Sequence, residues 1–413
     1  MSKSIVVQLA RLGDLMQSAP AILSLSLREA NTGMDVLCAD PLTVLARCLP
    51  GVERAVGWDG IPWRRLAETG AISEADHAMR TIAPEAYDTA YNLNQHNRAK
   101  LAAHLLARRV IGPGEHGPVS TDLPPWAAYL GDVAKNRGKN RVHLADVWCG
   151  FCGVRPPGCA PRLNLPDVAI PQDLDEVLHG NQVRIAVAMG AGDRERMVPV
   201  ETWARLITEL VRSYEGACVI LVGTRGEQEM AAGVERRLDP VTSARVWNAT
   251  GRTTLLELAR ALQSCAWVVA ADTGPLHLAT MVGARAVGFY FARARVHETG
   301  PYGNGHWVWQ AEGADGFGSQ VSGLGAQNSP TPGTRNPKPA SWPIKETVEL
   351  ILDGHPTAEP DGWRLWVSRM DEWGVFYQKA LGPAEEDCGR RRIWERLSGS
   401  DNAREQTCVG DAP

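Results

Sequence analysis

The sequence predicts an α/β protein made of two consecutive halves, each a parallel sheet with helices packed on it. Strand-length apolar runs alternate with stretches of helical period through most of the chain, which is the pattern of strands joined by helices. A proline-rich segment from Val154 to Asp173 interrupts that alternation, after which it begins again. A chain of 413 residues with 44% hydrophobic residues can also bury two ordinary cores, whereas single cores seldom grow beyond about 250–300 residues.

Ser4 to Leu9 reads as a buried first strand, Ala10 to Gly13 as a turn, and Leu15 to Leu27 as a helix. Val36 to Cys38 resumes as strand. Strand Tyr87 to Leu93, helix Arg98 to Ala107, the strand end Val110-Ile111-Gly112 and helix Leu144 to Cys152 complete the first half. Because helices join these strands, parallel pairing is expected. Pro156, Pro157, Pro161, Pro166 and Pro171 deny the next segment a helical period and mark it as a linker. The second half then runs through strand Arg184 to Met189, a glycine turn, helix Val200 to Tyr214, strand Ala217 to Val222, and helices Glu227 to Arg237 and Leu255 to Gln263. It ends on the apolar run Trp267 to Ala271, which meets Asp272-Thr273-Gly274-Pro275-Leu276-His277-Leu278. Domains at 1–165 and 175–355 follow from these patterns.

Gly313 to Pro343, rich in Gly, Ser, Asn and Pro, predicts a long loop. A short helix from Ile344 to Leu352 is entered through Pro343. Trp363 to Leu381, within a segment 356–382, predicts a C-terminal helix whose apolar face carries Trp366, Trp373, Phe376 and Tyr377. Residues 383–413 are charged, lack an apolar period and predict a disordered tail.

A net charge of −4 argues against a chain whose main work is coating nucleic acid. Nine cysteines scattered from Cys38 to Cys408 do not resemble a disulfide framework, so reduced thiols and a cytosolic setting are expected. The N-terminal Ile5-Val6-Val7-Gln8-Leu9 is strand-length and soon meets Arg11 and Asp14, unlike a signal peptide. No segment reaches the roughly 18 uninterrupted apolar residues of a membrane span. A protein that is soluble, or peripheral at the cytosolic membrane face, is expected.

Four motifs fall at predicted strand ends, where ligands of open α/β sheets collect. Arg11-Leu12-Gly13-Asp14-Leu15 opens the first helix, and Asp14 suits a general base on a hydroxyl; its plainer reading is a helix cap. Met189-Gly190-Ala191-Gly192-Asp193-Arg194-Glu195-Arg196 has two glycines, but Glu195 stands where a dinucleotide fingerprint needs its third. A nicotinamide dehydrogenase is thereby disfavoured. What remains is a glycine turn beside Arg194 and Arg196, suited to two phosphates unless those arginines are merely solvated. Gly223-Thr224-Arg225-Gly226-Glu227 places Glu227 where it can accept hydrogen bonds from a ribose. In the fourth motif Thr273 is a good N-cap, Gly274 allows close backbone approach, and Pro275 fits the first helical turn. Free N–H groups there suit a phosphate, with Asp272 and His277 adding an acceptor and a donor. Basic residues cluster at Arg98, Lys100, Arg108 and Arg109 and again at Lys135, Arg137, Lys139 and Arg141. Such runs are usually solvated faces, but around a cleft they would hold a phosphorylated acceptor, with Arg11, Arg98 and Lys100 as the acceptor-binding candidates. Cys149-Gly150-Phe151-Cys152 with Cys159 lacks a fourth nearby ligand, so no metal is expected.

These residues together resemble glycosyltransferase family 9, the group of the ADP-heptose:lipopolysaccharide heptosyltransferases. The likeness runs over residues 1–310, from Arg11-Leu12-Gly13-Asp14 and Pro20 to Gly300-Pro301-Tyr302-Gly303. Asp272-Thr273-Gly274-Pro275-Leu276-His277 is its most specific element. It implies a GT-B fold, two Rossmann-like domains facing across a cleft with a C-terminal helix returning to the first. Inverting, metal-independent and cofactor-free transfer is also implied. Asp14 matches the family's base, Arg196 a cation on the donor phosphates, though that position is often lysine, and Glu227 the acid near the ribose. Asp272 matches the residue facing the donor sugar, while Thr273, Gly274 and His277 surround the diphosphate. The segments 313–343 and 383–413 have no counterpart in the family, so acceptor specificity does not carry over.

The expected function is transfer of a heptose or related sugar from a nucleotide diphosphate, ADP-heptose above others, to a lipopolysaccharide core or other surface glycan. Two other readings fit the same scaffold. One is a sugar-nucleotide binding protein without turnover; the other is a non-hydrolysing sugar-nucleotide epimerase, which would need no acceptor.

Overall fold

The computed structural model describes residues 3–29, 33–58, 70–117, 124–135, 137–179, 183–312, 339, 341–382 and 388–398. Two sheets organise the chain. The first has five strands, β1 (Ser4–Gln8), β2 (Met34–Cys38), β3 (Val52–Gly57), β4 (Tyr87–Asn92) and β5 (Ala107–Ile111), in the order β3-β2-β1-β4-β5. Every pairing is parallel, with β1 set between β2 and β4 in the registers Val6↔Val36 and Val6↔Tyr91.

The second sheet has eight strands: β6 (Val183–Ala188), β7 (Ala217–Val222), β8 (Val246–Asn248), β9 (Trp267–Ala271), β10 (Arg285–Tyr290), β11 (Trp307–Ala311), β12 (Trp363–Asp371) and β13 (Gly374–Lys379). Their order is β13-β12-β11-β10-β9-β6-β7-β8. Pairing is parallel from β8 to β11 and antiparallel over β12 and β13. Strands β6, β7 and β9 are near-continuous apolar runs because both faces are covered by helices. The amphipathic helix Val200–Ser213, for example, buries Trp203, Leu206, Ile207 and Leu210.

In each sheet the strand order reverses once, beside β1 in the first and between β7 and β9 at β6 in the second. Such switch points open a crevice at the carboxyl ends of the strands. The Arg11–Asp14 turn leaves β1, the glycine turn leaves β6, Gly223–Glu227 leaves β7, and Asp272–His277 leaves β9. Topology therefore brings all four sequence motifs to the switch points.

Three expectations need correction. The helix read over Leu15–Leu27 is two helices, Leu12–Gln17 and Ala19–Arg28, broken where the Ser18 hydroxyl donates to Leu15 O at 2.6 Å. Trp363–Leu381 is not a helix but the hairpin β12–β13: Trp363, Leu365 and Val367 are buried while Arg364 and Trp366 are more open, a period of two, and Gly374 turns the chain at φ +101°. The 383–413 segment contains a helix, Cys388–Ser398. Its Trp394 ring lies 4.4 Å from Trp126, and Trp126 itself lies against Gly150, where any side chain would collide with it. A C-terminal helix thus does return to the first domain, later in the chain than expected. The 313–343 loop falls almost wholly outside the described residues.

The proline-rich linker runs without helix or strand from Val154 to Pro171, where helix Gln172–His179 begins, and is pinned by Asn164 N–H to Cys48 O at 2.8 Å and Leu163 N–H to Met281 O at 2.9 Å. A buried seam joins the domains elsewhere. Asp146 of the first domain accepts from Tyr302 Oη at 2.8 Å and Val375 N at 3.0 Å, and His143 Nε2 pairs with Gly300 O at 2.9 Å.

Candidate active site

The two domains meet where helix Leu12–Gln17 packs on helix Gly274–Val282. Contact is close: a methyl group on Gly13 would lie 2.9 Å from His277 Cδ2 and 3.6 Å from Gly274 Cα, and one on Gly274 would lie 3.0 Å from Leu12 Cδ2. Both glycines are there because the turns approach too closely for a Cβ. Between them runs a cleft lined by Arg11, Asp14, Gln17, Gly192, Arg196, Asp272, Thr273 and His277. It continues past Leu12, Thr224 and Glu227 into a second chamber bounded by Gly190, Gly223, Thr253, Leu255 and Leu258 at the ends of β6 and β7.

Asp14 sits at the third position of its helix and accepts the Arg11 N–H at 3.2 Å through Oδ2. The helix-capping reading of this residue therefore holds in part, but its second oxygen stays available to the cleft. Burial pushes its carboxyl up, outweighing the Arg11 N–H and the positive charge nearby.

Asp272 lies in the opposite environment. Its Oδ2 accepts from Arg196 Nη1 at 2.7 Å, and Oδ1 stands 3.5 Å from His277 Nε2. Burial again pushes upward, but the His277 ring and the Arg196 guanidinium prevail and hold the carboxyl below its ordinary value. His277 is buried, with Gln17 Nε2 3.4 Å from its Nε2 and, among the described residues, no partner on Nδ1. Thr273 takes the N-cap position of helix Gly274–Val282, yet no side-chain hydrogen bond closes that helix start. An anion could therefore be received there.

Glu227 closes a capping box with Thr224, whose N–H donates to Oε2 at 2.6 Å. Its carboxylate lies over the backbone of Gly190, where a Cβ would collide with Oε1. That overlap explains the glycine better than any phosphate fingerprint does.

Not every predicted residue arrives. Arg194 is exposed and does not line the cleft. Arg98 donates to Leu9 O at 3.1 Å, and the stem of buried Lys100 packs on Gly114, so neither reaches the cleft. Arg11 does reach it, but beside the Gly192 turn. Sequence reasoning gave no role to Gln17 or Glu298, and to Arg137 only a conditional one, holding a phosphorylated acceptor if its basic run bordered a cleft. Arg137 forms a two-pronged ion pair with Glu298 across the domain boundary and donates to Arg293 O at 2.8 Å. The only signal was its membership of a basic run.

Comparison with solved structures shows whose architecture this is. The glycosyltransferase family 9 protein from Veillonella parvula aligns with a TM-score of 0.58 at 19% identity, over 73% of this chain and 84% of that one. ADP-heptose lipopolysaccharide heptosyltransferase II of E. coli aligns at 0.58 and 18%, over 76% and 92%. E. coli heptosyltransferase WaaC with ADP aligns at 0.55 and 19%, over 76% and 94%. No curated protein matches the sequence. The shared fold is GT-B. Residues 164–314 match the model of glycosyltransferase family 9 (heptosyltransferase).

Proposed function

We propose that the protein transfers a heptose, or a closely related sugar, from ADP-heptose to a lipopolysaccharide core or other surface glycan. The single observation that carries this reading is the facing of Asp14 and the Asp272–His277 turn across one cleft, from separate domains. The donor lies along the second domain, its ribose beside Glu227 and its diphosphate near Arg196, Gly190, Gly192 and the start of helix Gly274–Val282. Asp272, kept ionised by its partners, faces the sugar. The acceptor enters from the first domain.

Asp14 takes the proton of the acceptor hydroxyl as that oxygen attacks the anomeric carbon from the face opposite the leaving group. The bond from that carbon to the diphosphate oxygen breaks, ADP leaves, and the anomeric configuration inverts. A raised pKa suits this role, because a base whose pKa lies nearer neutrality gains more from the proton it accepts. Charge developing on the leaving diphosphate meets Arg196 and the helix N-terminus, which supply positive charge without a metal ion. His277 is a diphosphate contact rather than an acid. No helix among the described residues is long and apolar enough to cross a membrane; work at the cytosolic membrane face, where lipid-linked acceptors are met, fits that finding.

The test is direct. Purified protein with ADP-heptose and a lipopolysaccharide acceptor lacking its outer core should release ADP and gain one heptose by mass. Binding of ADP-heptose with no ADP release on any lipid or glycan acceptor would defeat transfer and leave a binding protein.

A further inference from the structure

Arg11 was expected on the acceptor, by its place in the first domain. The structure puts its guanidinium elsewhere. A methyl group on Gly192 would lie 2.6 Å from Arg11 Nη1 and 3.4 Å from Arg196 Nη2, so the two cations converge on one point of the glycine turn from opposite domains. Arg196 has a counter-charge, Asp272, at 2.7 Å. Arg11 is exposed at the mouth of the cleft and forms no ion pair among the described residues.

Two guanidiniums drawn to one point of the turn repel each other. An anion with several oxygens relieves that repulsion, and a diphosphate offers each guanidinium a pair of acceptors. Gly192 keeps the point of convergence clear.

We propose that Arg11 is a ligand of the donor diphosphate delivered across the cleft from the first domain, closing over the Gly192 turn opposite Arg196. The proposal rests on the donor placement above. It has a consequence for the reaction: Arg11 precedes Asp14 by three residues on one rigid turn, so an occupied diphosphate site fixes the base. Donor binding thus sets Asp14 in place before an acceptor arrives.

Titration calorimetry on the full chain with ADP and with adenosine tests it, using Arg11→Ala, Arg11→Lys and Gly192→Ala. Loss of a charge-assisted phosphate contact should weaken ADP about 10- to 100-fold in Arg11→Ala and leave adenosine unchanged. Lysine should restore part of the loss. Gly192→Ala, which displaces Arg11 while keeping it, should weaken ADP in the same direction. In steady state with ADP-heptose, the donor KM should rise and the acceptor KM should not. Unchanged ADP affinity in Arg11→Ala, or an effect confined to the acceptor KM, would overturn the proposal while the transfer reading stands. A wild-type chain that binds no ADP would overturn both. Because Arg11 is exposed, its variants should melt with the wild type, which separates a lost contact from a lost fold.

Discussion

The turn after β1 and the turn after β9 are built alike, each a buried strand end, a glycine and a helix start carrying one aspartate, yet their carboxylates live in opposite fields. Asp272 is gripped by Arg196 at 2.7 Å and faces His277 at 3.5 Å, which together hold it ionised. Asp14 has one backbone N–H and a poorly hydrated setting, which raises its pKa. Pairs of acids pushed apart by their surroundings mark a division of labour. Asp272 is suited to fixed charge and Asp14 to exchanging a proton, although geometry alone would let either serve.

The largest effect should come from removing the exchangeable proton. Asp14→Asn is expected to cut transfer by about 10²–10⁴-fold, the usual worth of general-base catalysis, with ADP affinity retained by calorimetry. Full activity in that variant would end the comparison. In wild type the acidic limb of kcat/KM against pH should lie above the ordinary carboxylate range, since only ionised Asp14 accepts a proton and its pKa is raised. A limb at the position of a free aspartate would assign the base elsewhere.

Asp272→Asn strikes the other half. It leaves Arg196 in the cleft wall without its counter-charge, and breaking a buried pair costs about 3–5 kcal/mol. The sign with pH is fixed. Asp272 has a folded-state pKa below its unfolded one, so its contribution is present above the unfolded value and is lost as pH falls through the folded value. The gap in melting temperature between Asp272→Asn and wild type should therefore be widest near neutral pH and shrink in acid. A constant gap would mean that packing rather than charge holds the turn.

Both turns were legible in the sequence because each is local: a strand-length apolar run, a glycine and a helix start within a dozen residues. Their companions were not. Gln17 and His277 are separated by 260 positions, and Arg137 and Glu298 by 161, and nothing in either segment alone announces its partner. The hairpin β12–β13 reads as a helix in sequence because Trp366, Trp373, Phe376 and Tyr377 also fit helical spacing, whereas burial against β11 follows Trp363, Leu365 and Val367. Helix Cys388–Ser398 is held by Trp394 on Trp126 and by Arg390 Nη1 on Gly374 O at 2.8 Å, so contacts rather than its own composition order it. Local chemistry placed the two carboxylates; only the fold shows their unlike surroundings.

A smaller effect should come from the seam that sets the distance between the turns. Burial raises the Asp146 carboxyl to about 8, against the hydrogen bonds it accepts from Tyr302 and Val375 and the charge of Arg390. A carboxyl whose folded-state pKa is raised contributes stability in acid and loses it as pH climbs from the ordinary carboxylate range towards about 8. That loss is at most roughly 1.4 kcal/mol per pH unit. Denaturant titrations from pH 5 to 9 should show the decline in wild type and a flatter profile in Asp146→Asn. Equal slopes would place the seam's pH response on another group. Should the seam loosen first, donor KM will rise at high pH before chemistry fails.

The smallest effect is expected where the sequence had promised one. Lys100 was read as an acceptor ligand by its basic neighbourhood, but it is 8% exposed, with its stem on Gly114 and its pKa lowered by burial. Lys100→Met keeps the packed stem and removes only the charge, so acceptor KM should stay within twofold of wild type. The contrast with Arg11, expected in the same role and found beside the Gly192 turn, then becomes a two-variant experiment. Neither should move the acceptor KM, and only Arg11 should move the donor KM. A Lys100→Met variant that lost acceptor binding would show the first domain holding its acceptor on the Gly114 side, outside the cleft that Asp14 lines, and would count against Asp14 as the base.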